Sequence, residues 1–176
     1  MRTFEMTISA LLAVALLSAS HGFAAGPGFG RAATAEEIAA IDISIPPSGE
    51  GLPSGSGNAI TGESVYAEKC ESCHAAGGTG KPADKLVGGI GSLGSDKAVK
   101  SVGSLWPYAT TLFDYVRRSM PLNMPMTLTD DEVYAVTAYV LFINGIVSND
   151  QTMDASSLPK VRMPNRDGFV DMSGVR

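Results

Sequence analysis

The chain has 176 residues, enough for one domain or for a small domain with long extensions. Its 13 Lys+Arg against 18 Asp+Glu give a formal net charge of −5, which argues against a phosphate-backbone binder with a basic face. Two Cys and two His exclude a disulfide framework, a zinc ribbon and a multi-histidine metal centre, unless carboxylates contribute heavily.

Residues 1–24 read as an export signal. Arg2 supplies a positive start, which Glu5 weakens, and Ile8 to Ala19 form an apolar run of 12 residues. A bilayer span needs roughly 20 residues, so this run is too short for a membrane helix. Gly22 and Ala24 fit a small-residue cleavage pattern, which places cleavage near Ala24 and the mature chain in the periplasm. His21 then leaves with the signal, so His74 is the histidine of the mature chain. No later apolar run approaches spanning length, and the mature protein is expected to be soluble, without membrane or nucleic-acid contact.

Residues 25–60 form an N-terminal arm and linker. Thr34 and Glu37 suit the two ends of a capping box, with Ile38 and Ile41 as apolar contacts of a short helix. In residues 46–58, 10 of 13 are Pro, Gly or Ser, the composition of a linker. The domain proper is expected over residues 61–146, with a helix-compatible segment at 62–74. Residues 77–104 carry eight glycines and little periodicity, which reads as a long loop. A loop of that length is reasonable in a compact domain if it wraps a large non-protein group.

Trp106, Ala109, Phe113, Val116 and Met120 form one apolar helical stripe, with Pro107 in its first turn and Pro121 as its stop. A third helix begins at a Thr129–Glu132 capping box. It buries Val133, Val136, Val140 and Ile143 and stops at Gly145. Residues 147–176 are a polar, irregular C-terminal extension. These elements predict an all-α domain.

Cys70-Glu71-Ser72-Cys73-His74 is C-x-x-C-H, the attachment signature of c-type haem. Two thiols three residues apart can add to the two vinyl groups of one porphyrin edge, and the adjacent His74 then reaches the iron. Both bonds are covalent, so the cofactor becomes a permanent part of the core. A thiol–disulfide oxidoreductase also uses C-x-x-C, but would bring a strand and a βαβ pattern around it. A zinc site would need a second Cys/His pair, and a structural disulfide would not explain the histidine.

The second axial position needs another donor, and a methionine thioether is suitable. Met120, Met124 and Met126 lie just before the last helix, and Met153, Met163 and Met172 lie in the tail. Met120-Pro121 closes an apolar stripe and is the leading candidate. Met124-Pro125 repeats the dipeptide and competes with it, whereas Met126 reads as a gap-filler. Trp106, Tyr108 and Arg117 flank the ligand helix and are candidate donors to the haem propionates. The ordinary reading of Arg117 and Arg118 is a solvated helix end that favours cations.

Residues 62–145 resemble a class I cytochrome c. The wider chain resembles the monohaem cytochrome c subunits of bacterial sulfite dehydrogenases and the related cytochrome subunits of sulfane dehydrogenases. The segments that carry this are FGRAATAEEIAAIDI, GLPSGSG, VGSLWPYATTLFDYVRRSMP, LTDDEVYAVTAYVLFINGI and LPKVRMPNRDGFV. The resemblance implies one covalent haem c on Cys70 and Cys73, with His74 and Met120 as iron ligands. The position of Met124 is not usually methionine in that family. The resemblance further implies an electron-transfer subunit with no catalytic residue of its own. Its electrons would come from a molybdopterin subunit that oxidises sulfite and go to a soluble cytochrome c. The sulfane dehydrogenase cytochrome is normally longer and carries two haems, so one motif favours the sulfite type. The alternatives are a free-standing mobile carrier and the haem subunit of a sulfane- or thiosulfate-oxidising complex.

Overall fold

A computed structural model describes residues 30–170 and 172. The export signal, its cleavage point near Ala24 and His21 lie outside the described residues. The chain divides into two compact units, one ending at Asp42 and one beginning at Ile43. In the first unit, α1 (Ala35–Ala39) starts as expected. The Thr34 hydroxyl accepts from the Glu37 N–H at 3.2 Å, and the Glu37 carboxylate accepts from the Thr34 N–H at 2.8 Å. Arg31 pairs with Glu37. Ile38 and Ile41 do not find the apolar contacts expected of them: they are 50% and 80% exposed. Five residues are too few to bury a helix face.

The second unit contains α2 (Ala59–Lys69), α3 (Glu71–His74), α4 (Val102–Leu105), α5 (Ala109–Ser119) and α6 (Asp130–Ile143). Asn58 caps α2: its Oδ1 accepts from the Thr61 N–H at 3.0 Å, so the helix begins three residues before the helix-compatible segment expected from Gly62. The Thr129–Glu132 box caps α6 as read from sequence. The second predicted helix is shorter than its stripe. Trp106 is extended (φ −76°, ψ 127°) and closes α4, and α5 begins only at Ala109. The following Pro107 disfavours helical geometry at Trp106. Pro121 does the same to Met120, which is extended at the end of α5 (φ −121°, ψ 147°).

Ala109, Phe113 and Val116 of the stripe are buried. α6 is buried on every side from Val133 to Leu141, the mark of a helix at the centre of its core. α2 crosses it at Gly62, where a Cβ would overlap the Ala135 carbonyl. Around that crossing the Tyr66 and Tyr139 rings lie 5.0 Å apart, and Lys69 Nζ reaches Glu132 Oε1 at 2.6 Å. α5 packs on α6 through Phe113 and Tyr134, 4.5 Å between ring centroids.

The glycine-rich segment after α3 is irregular, yet its end is pinned. Ser101 Oγ donates to Gly88 O and Ser104 Oγ to Val99 O, both at 2.6 Å. Asn144 Nδ2 donates to Leu86 O at 3.0 Å and Val140 O at 2.8 Å, tying the loop to the end of α6.

The linker and tail belong to the same unit. Two short strands, β1 (Ser56–Gly57) and β2 (Met153–Asp154), pair antiparallel, Ser56 opposite Asp154 and Gly57 opposite Met153. Asp114 Oδ1 accepts from the Ile45 N–H at 2.9 Å, and the Tyr134 hydroxyl donates to Pro53 O at 2.9 Å. Met153, Leu158, Val161 and Met163 are buried in the core. Farther along, Asn165 Nδ2 donates to Leu105 O at 2.8 Å, and the Arg166 guanidinium lies 4.2 Å from the centre of the Tyr108 ring.

Candidate functional site

The C-x-x-C-H segment is held at the end of α2. Cys70 caps that helix with a bent backbone (φ −124°, ψ −35°), and α3 carries Glu71 to His74 as a single turn. The turn leaves Cys70 half-buried and Cys73 exposed, both as free thiols. Burial and then the neighbouring Cys73 push the Cys70 thiol up to about 11, the behaviour of a neutral thiol in apolar surroundings.

His74 is half-buried, and its Nδ1 lies 2.8 Å from Asp84 O. A carbonyl can only accept, so the proton sits on Nδ1 and the Nε2 lone pair is available to a metal. Asp84 comes from the loop ten residues on. The loop doubles back over the motif: Ala83 N–H donates to Cys73 O at 2.9 Å and Gly80 N–H to His74 O at 2.8 Å. Ala75, next to the histidine, adopts φ +60° and ψ 166°, a region glycine favours. The buried Tyr66 donates to its carbonyl at 2.9 Å and holds it there.

Met120 is half-buried and packs against the core. Met124 and Met126 are 56% and 66% exposed on the turn beyond it, and Met153 and Met163 are fully packed. Arg117 Nε pairs with Asp130 Oδ1 at 3.2 Å. The pair joins the end of α5 to the start of α6 and so closes the loop that carries Met120. Arg118 pairs with Asp114 one turn back. Trp106 is half-buried, edge-on to Tyr115 at 5.6 Å, and Tyr108 carries Arg166 on its ring. Sequence reasoning missed Asp84 and Asp130. Each acts through a contact, one of them through its backbone, that no local motif announces.

The donor set fits a covalent haem. Two free thiols, Cys70 and Cys73, directly precede an imidazole whose Nε2 is set for metal. Cys70, Leu86, Trp106, Met120, Leu128 and Ile143 pack on the core but stay partly uncovered, apolar surface suited to a flat apolar group. Among the described residues no group of three or more His, Cys, Asp or Glu forms a metal cluster. No described helix is long and apolar enough to cross a membrane.

Residues 59–143 match the family model described as Cytochrome c. A chain of the sulfane dehydrogenase SoxCD from Paracoccus pantotrophus matches structurally with a TM-score of 0.75 and 41% sequence identity, covering 86% of this chain and 76% of that one. No match was found among curated proteins. A helical domain wrapped round a C-x-x-C-H turn is a c-type haem protein built for electron transfer. The chain belongs to the class I cytochrome c family.

Proposed function

We propose that this protein is the haem-bearing subunit of a periplasmic sulfite dehydrogenase, reached through the export signal of residues 1–24. It takes electrons from a molybdopterin catalytic subunit and passes them to a soluble cytochrome c. The observation that carries the haem assignment is His74, its proton fixed on Nδ1 by Asp84 and its Nε2 left for iron. The likeness to a sulfane dehydrogenase chain supports the sulfur-oxidising context. The single C-x-x-C-H motif supports one haem and the sulfite type. The same likeness favours a second reading, the haem subunit of a sulfane-oxidising complex.

The bound haem supplies a one-electron couple. In this reading Cys70 and Cys73 would hold it through thioether bonds, His74 Nε2 and the Met120 thioether would ligate the metal, and Met/His ligation would raise the potential. Trp106 and Arg117 would supply its outer polar contacts, and the Arg117–Asp130 pair steadies the Met120 loop.

Expression beside a haem-attachment system tests the core of this reading. A sharp reduced visible band is expected; a colourless product with both thiols still alkylatable overturns it. Met120→Ala should abolish the sulfur-to-iron charge-transfer absorption and lower the potential, while Met124→Ala leaves both unchanged. The reverse pattern would move the ligand to Met124. Pull-down of the tagged native protein with molybdenum analysis tests the partner, and a molybdenum-free, monomeric haem protein in the eluate would leave a mobile carrier. Turnover of the captured complex with sulfite against sulfane sulfur separates the two dehydrogenase readings.

A further inference from the structure

Beside the 158–160 turn lies a hollow of about 170 Å³, lined by Pro159, Lys160, Val161, Arg162 and Arg166. Three cationic residues therefore line one small, open hollow in a chain whose net charge is −5. The backbone beneath them is fixed. Leu158, Val161 and Met163 are buried, Val161 N–H donates to Leu158 O at 3.2 Å, and Arg166 N–H donates to Met163 O at 3.1 Å. The Arg166 guanidinium is held over the Tyr108 ring, so its planar fork is already oriented. Asp167 supplies a counter-charge, accepting from Arg162 at 2.6 Å, but both side chains are 76% exposed and that pair is easily screened. Like charges gathered on a rigid strap repel one another, and an anion between them removes that cost. The space holds a five-atom tetrahedral anion together with a few waters. Guanidinium forks and an ammonium suit its several oxygens better than one carboxylate would use them.

We propose that this hollow binds a tetrahedral oxyanion of the sulfate class. The site is formed by the tail alone and does not rest on the haem assignment. Titration calorimetry of the holoprotein with sodium sulfate, at ionic strength held constant with sodium chloride, tests it. Saturable binding is expected. Lys160→Gln and Arg166→Gln should each weaken it roughly tenfold, the loss of one charge-assisted contact. Asp167→Asn should tighten it, because the competing carboxylate is gone. Lys160 is exposed, so its variant reads binding even if Arg166→Gln perturbs the fold. Absence of saturable heat, an unchanged affinity in Lys160→Gln, or weaker binding in Asp167→Asn would overturn the site. Succinate binding as well as sulfate would overturn the oxyanion assignment.

Discussion

Tyr134 shows how a single hydroxyl joins two distant parts of this chain. Its ring is buried in α6 beside Phe113, and its O–H donates to Pro53 in the linker at 2.9 Å. Burial, with Asp130 and Asp154 nearby, pushes the phenol up to about 12. An unfolded tyrosine ionises near 10. Below that pH both states are neutral and the contribution is fully present. Between roughly 10 and 12 the unfolded chain loses the proton that the folded chain keeps, so stability falls as pH rises. Tyr134→Phe should cost about 1 kcal/mol at pH 7, the worth of one hydrogen bond. The gap to wild type should close at about pH 11 and reverse in sign by about pH 12, because the phenylalanine variant has no such proton to lose. Urea titrations of the holoprotein at pH 7, 10 and 12 check this; a wild-type advantage that grows with pH contradicts the assignment.

At the scale of the element, the α2–α6 crossing depends on what is missing from Gly62. The Ala135 carbonyl and Tyr139 Cβ occupy the space where a side chain would begin, the latter only 2.9 Å from an added Cβ. Gly57 of β1 approaches the same Ala135, so one turn of α6 is gripped from two sides. Gly62→Ala should therefore destabilise by about 3 kcal/mol, despite the better helix propensity of alanine. A shift in urea midpoint at unchanged slope is the expected sign. A stabilised variant would mean the helices can part without loss. The helices themselves were legible because their signals are local: the Thr34 and Thr129 boxes, the stop at Gly145, the 3.6-residue stripe. The misplaced start of α5 has a local cause too, since Pro107 acts on the residue before it. The histidine and thiols were equally plain as a contiguous motif. Asp84 was not, because its part is played by a backbone carbonyl that any residue carries.

For the whole molecule, the linker and tail form a strap that no local pattern reveals. Ser56 meets Asp154 across almost a hundred residues, and each strand is only two residues long. The tail's buried side chains are scattered through polar sequence, which is why composition alone reads as an irregular extension. Their burial bears on partner docking. Removing the tail would take Met153, Leu158, Val161 and Met163 out of the core and expose what they cover. Loss of co-purification in a tail deletion would then report unfolding as readily as a lost interface. A point substitution separates the two. Met163 is 1% exposed, and Met163→Ala should cost about 3 kcal/mol through lost burial and the cavity left behind. The measurement is a urea titration of the isolated holoprotein, with no partner present. A change below about 0.5 kcal/mol, within the range of ordinary surface substitutions, would show that the strap does not stabilise the domain. The predicted loss would instead assign the buried side of the tail to the fold and leave only its exposed side, with Arg162 and Asp167, to face a partner.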